Sequence, residues 1–252
     1  MDIPTALAKI VDGHNLSQKD TAKVFHQIMS GEATAGQIGA ILAALRVKGE
    51  TPEEIAGAAM TMRALANLKI LDFTTLVPGP FATMMLADMG AEVLRIESPT
   101  RPDLLRNMPP FADGQSTAHG TLNRNKRSIA LDLKNPEAVA IAKRLVEEYD
   151  IVIEQFRPGV MQRLGLGYEQ LHEINPKLIY CSVTGYGQTG PYAEKAGFAS
   201  ACEAISGFRY VNGYPGQAPV RPNLSLGDTI SGLHAVLGIL MALRSVDRGD
   251  GG

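Results

Sequence analysis

The residue with the most chemistry to offer is Asp228, in the word "LSLGDTISGLH". A carboxylate in a low-polarity cleft can attack an activated carbonyl as a nucleophile. Spacing alone offers a plainer role, a helix N-cap ahead of the apolar run 229–243. A second group is basic: Asn123-Arg124-Asn125-Lys126-Arg127, just ahead of a strand pattern. Lys126 and Arg127 could make charge-assisted bonds to phosphates, or the cluster could be a solvated turn. A third lies at a strand end, where Phe156 can pack on a flat ring or serve as core, and Arg157 and Arg163 can reach anions. Cys181 and Cys202 form no CxxC, so neither a metal nor a disulfide framework is expected. His14 and His26 read as solvated, and His172 as a surface residue of its helix.

These residues need elements to hold them. From residue 67 onward the pattern is α/β. Strands are expected at 68–73, 91–97, 128–133, 151–155 and 178–183. Helices are expected at 81–89, 136–148 and 168–174. The alternation predicts a doubly wound, Rossmann-like parallel sheet, with ligands at the carboxyl ends of the strands. The loops after Phe73, Glu97 and Gln155 are therefore the expected sites. The sheet that the strand at 68–73 opens is expected to have an unpaired, exposed edge.

The first 66 residues read differently, as an all-α module of four short helices. Pro4 lies in the first turn of one that ends at Gly13. Leu7, Ile10 and Val11 form its stripe. Ser17 with Asp20 opens the second, and Gly31 closes it. Thr34 caps the third, which stops at Gly49. Thr51-Pro52-Glu53-Glu54 opens the fourth, which continues through Ile55, Ala58, Ala59 and Met62. Glycines and alanines at 36–44 suit close helix packing.

The stretch "IMSGEATAGQIGAILAALRVKGETPEEIAGAAMTMR" resembles the N-terminal helical domain of anthranilate phosphoribosyltransferases. That family's phosphate loop would follow, but this chain has "NLKILDFTTLVPGPFATMM" there. Gly79-Pro80 cannot turn successive N–H groups toward an anion. The resemblance implies a fold for 1–66, with dimer contacts, and not phosphoribosyl transfer.

Five later words, in order, are "LVPGPFATMMLADMGAEVLRIE", "NRNKRSIALDLK", "IEQFRPGVMQRLGLGYEQL", "NPKLIYCSVTGYGQTGPY" and "LSLGDTISGLHAVLGIL". Together they resemble the family III CoA-transferases, the CaiB/BaiF group that includes formyl-CoA transferases and α-methylacyl-CoA racemases. The likeness covers residues 67–252. It implies that Asp228 is the nucleophile and that CoA moves from an acyl-CoA thioester to a free carboxylic acid through an aspartyl anhydride. It places coenzyme A against Leu131, Lys134, Gln155, Phe156, Arg157 and Arg163, with Lys126 and Arg127 on its phosphates. Gln155 replaces the usual Asn and keeps the amide. A racemase of the family would carry an aspartate at the place of Ala199, which cannot move a proton. Glu203 is the nearest substitute acid.

The 252 residues carry a net charge of -2, 45% hydrophobic and 20% charged residues. No basic excess marks a nucleic-acid partner. The N-terminus lacks a signal-peptide pattern, and 233–243 is read as too short to span a bilayer. A cytoplasmic, metal-free protein without a membrane partner is expected. The resemblance implies a homodimer. Family members continue with a further strand, a smaller domain and a glycine-rich lid, so 67–252 reads as a truncated large domain. Fused to 1–66, it reads as a two-part chimera. A non-catalytic CoA-binding or self-associating fragment is the alternative.

Overall fold

The structure, a computed structural model, describes residues 1–30, 32–61, 65 and 67–249. The chain forms two compact units, 1–66 and 67–252. Gly31 and Met62, expected at a helix stop and on the fourth helix, lie outside the described residues, as do Arg63, Ala64 and Ala66 at the junction.

Among the described residues, the first unit has four helices: α1 (Ile3–Val11), α2 (Gln18–Met29), α3 (Ala35–Lys48) and α4 (Pro52–Thr61). Their starts are written in side chains. Asp2 accepts from the Thr5 N–H, Ser17 from the Asp20 N–H, and Thr34 forms a reciprocal capping box with Gln37. Gly49, at φ 88°, ends α3. The core is Ile3, Ala6, Ile10, Leu16, Val24, Ile41 and Leu45. Val11 is 69% exposed, so the stripe of α1 is narrower than its apolar residues suggest. His14 and His26 are exposed. At Gly57 a methyl group would come within 2.4 Å of the Gln18 carbonyl and 2.8 Å of Thr21 Cβ; glycine is what lets α2 and α4 touch.

Glu54 does more than the cap read from sequence. Its buried carboxylate accepts from the N–H groups of Leu16 (2.8 Å) and Thr51 (2.9 Å) and from Lys48 Nζ (3.0 Å). Burial alone would raise its pKa. Those two N–H groups and the Lys48 ammonium outweigh burial and hold it below the ordinary 4.5. A lowered folded pKa stabilises above the unfolded value and stops doing so as pH falls through the folded one. Acid titration followed by circular dichroism should therefore show helix loss below pH 4.5. Glu54→Gln should flatten that loss, and an unchanged acid profile would count against the account.

The second unit is built on a five-stranded parallel sheet. Its strands are β1 (Lys69–Phe73), β2 (Glu92–Glu97), β5 (Lys126–Ala130), β6 (Ile151–Glu154) and β7 (Ile179–Ser182), in the order β5-β2-β1-β6-β7. A small antiparallel pair, β3 (Phe111–Ala112) and β4 (Gln115–Ser116), lies in the long connection after β2. Helices α5 (Pro78–Asp88), α6 (Thr117–Leu122), α7 (Pro136–Val146), α8 (Val160–Arg163), α9 (Tyr168–His172), α10 (Ala199–Ile205), α11 (Phe208–Val211) and α12 (Leu226–Asp247) complete it. One sheet face, with Leu71, Phe73 and Val152, packs on Ala138, Ala142 and Val146 of α7. The other carries Asp72 toward α5, which packs in turn on α12. The sheet is doubly wound, as the alternation predicts.

β1 is central and the edge strands are β5 and β7, because the chain returns from β5 to pair β6 with β1. Two expectations need correction. β5 begins at Lys126, since Asn125 makes the turn with φ 62°; Lys126 and Arg127 are therefore strand residues, not loop residues. α12 runs through His234 and Gly238 for 22 residues, with mean hydropathy 1.6 over its most apolar window. By length and composition it could cross a membrane, and here it packs on α5 and β7.

Candidate active site

The strand order reverses between β1 and β6, and the crevice at their carboxyl ends is where such sheets take ligands. Here the loop between β1 and α5, with the first turn of α5, is tied down at three points. Thr74 donates its N–H to Asp72 Oδ1 at 2.9 Å. Leu76, in a left-handed conformation at φ 61°, donates its N–H to both Asp103 oxygens at 3.1 and 3.2 Å. Gly79 donates its N–H to Gln155 Oε1 at 3.1 Å. A methyl at Gly79 would sit 2.3 Å from the Thr74 side chain, so only glycine brings α5 this close to β1. Gln155 thus stitches the end of β6 to the first turn of α5.

The other expected contacts divide. Leu131 is buried in the main core, with its N–H on the Glu97 carbonyl at 2.9 Å. Lys134 stands exposed just beyond β5. Phe156 packs partly against the core and gives its N–H to Glu154 Oε2 at 2.7 Å. Arg157 and Arg163 are exposed. These lie at or beyond the carboxyl ends of β5 and β6, with Arg163 on α8 following them. The basic pair does not join them. Lys126 Nζ is buried, bonded to Asp72 Oδ2 (3.3 Å), the Pro80 carbonyl (3.0 Å) and Asn123 Oδ1 (3.1 Å). Burial lowers its pKa, against the pull of Asp72. Arg127 leans back to pair with Glu92 at the start of β2.

Sequence reasoning missed the polar network below the crevice. Buried Arg95 bonds Asp103 and Asn123, and Asp103 in turn holds Leu76. The signal was present: Asp72 and Arg95 interrupt apolar strands, and a buried charge must be paired. His172 is half-buried, its ring 5.2 Å from that of Tyr168, not a surface residue. Burial pushes the Cys181 thiol up to about 11, which removes it as a neutral-pH nucleophile.

Asp228 lies in the first turn of α12, three places after the cap position Ser225. It is not the cap itself, because the helix starts at Leu226. α12 is docked by Gly232, where a methyl would be 2.8 Å from Phe81 Cδ1 and 2.9 Å from the Pro78 carbonyl. Asp228 lies four residues earlier, about 6 Å along the axis, so the contact with the start of α5 fixes its distance from that helix end. Gly232→Ala should cost about 1–3 kcal/mol by overpacking. Denaturant unfolding checks this; an unchanged midpoint would mean that α12 docks elsewhere.

The Asp228 carboxyl is half-buried and pushed above the ordinary aspartate range, first by burial and then by the neighbouring Glu203 carboxylate. Arg221 and the Ser225 hydroxyl oppose that shift. Ala199, at the start of α10, presents only a methyl against Gly227. A cleft of about 510 Å³ runs between β7 and α12, lined among others by Ser182, Thr184, Ser231 and His234. Ser231 is three residues after Asp228, so the cleft begins within one helical turn of the carboxylate. Among the described residues, no cluster of His, Cys, Asp or Glu is arranged to hold a metal ion.

An open parallel sheet with a tethered crevice, and a half-buried carboxylate on the helix docked against α5, defines a doubly wound α/β unit. Residues 65–252 match the model of CoA-transferase family III, and the chain belongs to that family. Residues 4–66 match the helical bundle domain of a glycosyl transferase family, so the chain joins two families. The human succinyl-CoA:glutarate CoA-transferase is 44% identical over 183 residues, which is 72% of this chain and 42% of that protein. Succinyl-CoA--D-citramalate CoA-transferase of Chloroflexus aurantiacus is 43% identical over 187 residues, 74% of this chain and 46% of the relative. The crystal structure of a CaiB/BaiF family protein from Brucella suis superposes with a TM-score of 0.71 at 37% identity, covering 75% of this chain and 51% of that one. The chain spans less than half the length of these two curated relatives.

Proposed function

We propose that residues 67–252 move CoA between an acyl-CoA thioester and a free carboxylic acid, with Asp228 as nucleophile. The observation that carries this reading is the Asp228 carboxylate itself. It is partly withdrawn from water, raised in basicity, and held in the first turn of a helix docked on the start of α5. Residues 67–252 are, in this reading, the N-terminal portion of the enzyme's large domain, and 1–66 is a helical module joined to it.

The steps balance without a cofactor or metal. An Asp228 oxygen attacks the thioester carbonyl and expels CoA thiolate, leaving an acyl-aspartyl anhydride. The thiolate attacks the aspartyl carbonyl, which releases the donor acid and forms an aspartyl-CoA thioester. The acceptor carboxylate attacks that thioester and expels the thiolate again. The thiolate then takes the new acyl group, and Asp228 is restored. Exposed Lys134, Arg157 and Arg163 supply cations for the CoA phosphates, and Phe156 offers a ring edge to the nucleotide or pantetheine. Lys126, enclosed by Asp72, Asn123 and Pro80, holds the loop that these groups flank.

This route transfers one oxygen of the acceptor acid to Asp228. Turnover of succinyl-CoA with ¹⁸O-glutarate, followed by mass spectrometry of the Asp228 peptide, should show a gain of ¹⁸O there. CoA exchange with no label in that peptide would overturn the covalent reading. CoA binding with no exchange at all would leave a binding fragment.

A further inference from the structure

The first turn of α12 is completed from another element. Ser225, at the cap position, makes no side-chain cap bond to the helix. The Gly227 N–H, one of the N–H groups that a helix start leaves unpaired, donates instead to Glu203 Oε1 at 3.3 Å. Glu203 lies 24 residues earlier, on α10, and is only 7% exposed. The approach is close because Gly227 has no side chain; a methyl there would be 3.0 Å from Ala199 Cβ and 3.5 Å from Glu203 Oε1. The second oxygen, Oε2, is buried and accepts no hydrogen bond. Its nearest cation is Arg209 of α11, at 3.6 Å.

A buried carboxylate with one oxygen unbonded is costly unless its charge is used. Here it is spent within one residue of Asp228. We propose that Glu203 is a positioning residue for the reaction, fixing the turn that presents Asp228 through the Gly227 N–H and setting the negative potential around it. The proposal rests on the reading of Asp228 as nucleophile. The groups facing Asp228 are Glu203 from α10 and Arg221 and Ser225 from the segment leading into α12; Arg209 faces Glu203 from α11. Glu203 adds to the upward shift of Asp228 that burial begins, and a more basic carboxylate is a stronger nucleophile once ionised.

Two variants separate the roles. Glu203→Gln keeps an acceptor for Gly227 and removes the charge, while Glu203→Ala removes both. The Asp228 carboxyl can be followed by ¹³C NMR with aspartate labelling, its signal assigned by its loss in Asp228→Asn. In Glu203→Gln that carboxyl should titrate at lower pH than in the parent, and the acid limb of kcat should move the same way. Glu203→Ala should lose about tenfold in kcat with little change in KM, the effect of one lost positioning bond. Unchanged Asp228 titration in Glu203→Gln would overturn the electrostatic role. Unchanged kcat in folded Glu203→Ala would overturn the positioning role. Exchange that survives Asp228→Asn would sink the nucleophile assignment instead, while the titration would still report on the Glu203 charge.

Discussion

Asp228→Asn should abolish CoA exchange, by roughly 10⁴-fold or more, because removing a nucleophile removes the covalent route and not merely a contact. The fold should not suffer. The carboxyl is raised above its ordinary range by burial and by Glu203, so its ionised form is a burden on the folded state at neutral pH. For an acid with a raised folded pKa, that burden is present above the raised value and fades as pH falls through it. Asp228→Asn should therefore unfold at the same or a higher denaturant concentration at pH 7, with the difference closing in acid. Exchange kinetics and urea midpoints on the same preparations decide the matter. A dead but destabilised variant would indicate a structural carboxylate whose loss disorders α12. An active variant would remove Asp228 from the chemistry.

Much of the fold was legible because its signals are local. Ser17, Thr34 and Thr51 open helices with side-chain oxygens, and Gly49 and Gly90 end or follow them with φ above 80°. The α/β alternation gave the doubly wound sheet. The misses are places where local signals compete. The helix expected at 81–89 starts three residues earlier, at Pro78, because proline is at home in a first helical turn. Asn125 turns the chain two residues earlier than the apolar pattern of 128–133 implies. Asp228 stood out as a candidate through the words around it in sequence. Glu203, Arg221 and Ser225 became its neighbours only through the packing of α10 and the path into α12, which no periodicity records. The lysine and arginines of 123–127 show the same limit. Arg124 pairs with Asp88, Lys126 with Asp72 and Arg127 with Glu92, partners 36, 54 and 35 residues away.

Lys126→Ala separates a ligand contact from an internal ion pair, and the geometry favours the second. The Lys126 side chain is 2% exposed and that of Asp72 is 0%. Besides Lys126, Asp72 accepts from the Thr74 N–H and hydroxyl and from the Thr83 hydroxyl. Removing the ammonium leaves a buried carboxylate without its cation, and breaking one side of such a pair costs about 3–5 kcal/mol. It also takes one donor from the Pro80 carbonyl and one from Asn123 Oδ1, which Lys126 bridges, so the first turn of α5 should loosen as well. The double variant Asp72→Asn with Lys126→Met removes both charges and should recover much of the loss, since a pair replaced as a unit leaves no lone charge behind. Urea unfolding of the single and double variants measures the coupling, and calorimetric titration with CoA on folded protein measures affinity. A Lys126→Ala protein of parental stability that binds CoA more weakly would return Lys126 to the phosphates. A destabilised protein whose folded fraction binds CoA normally would fix it as the post under the β1–α5 loop.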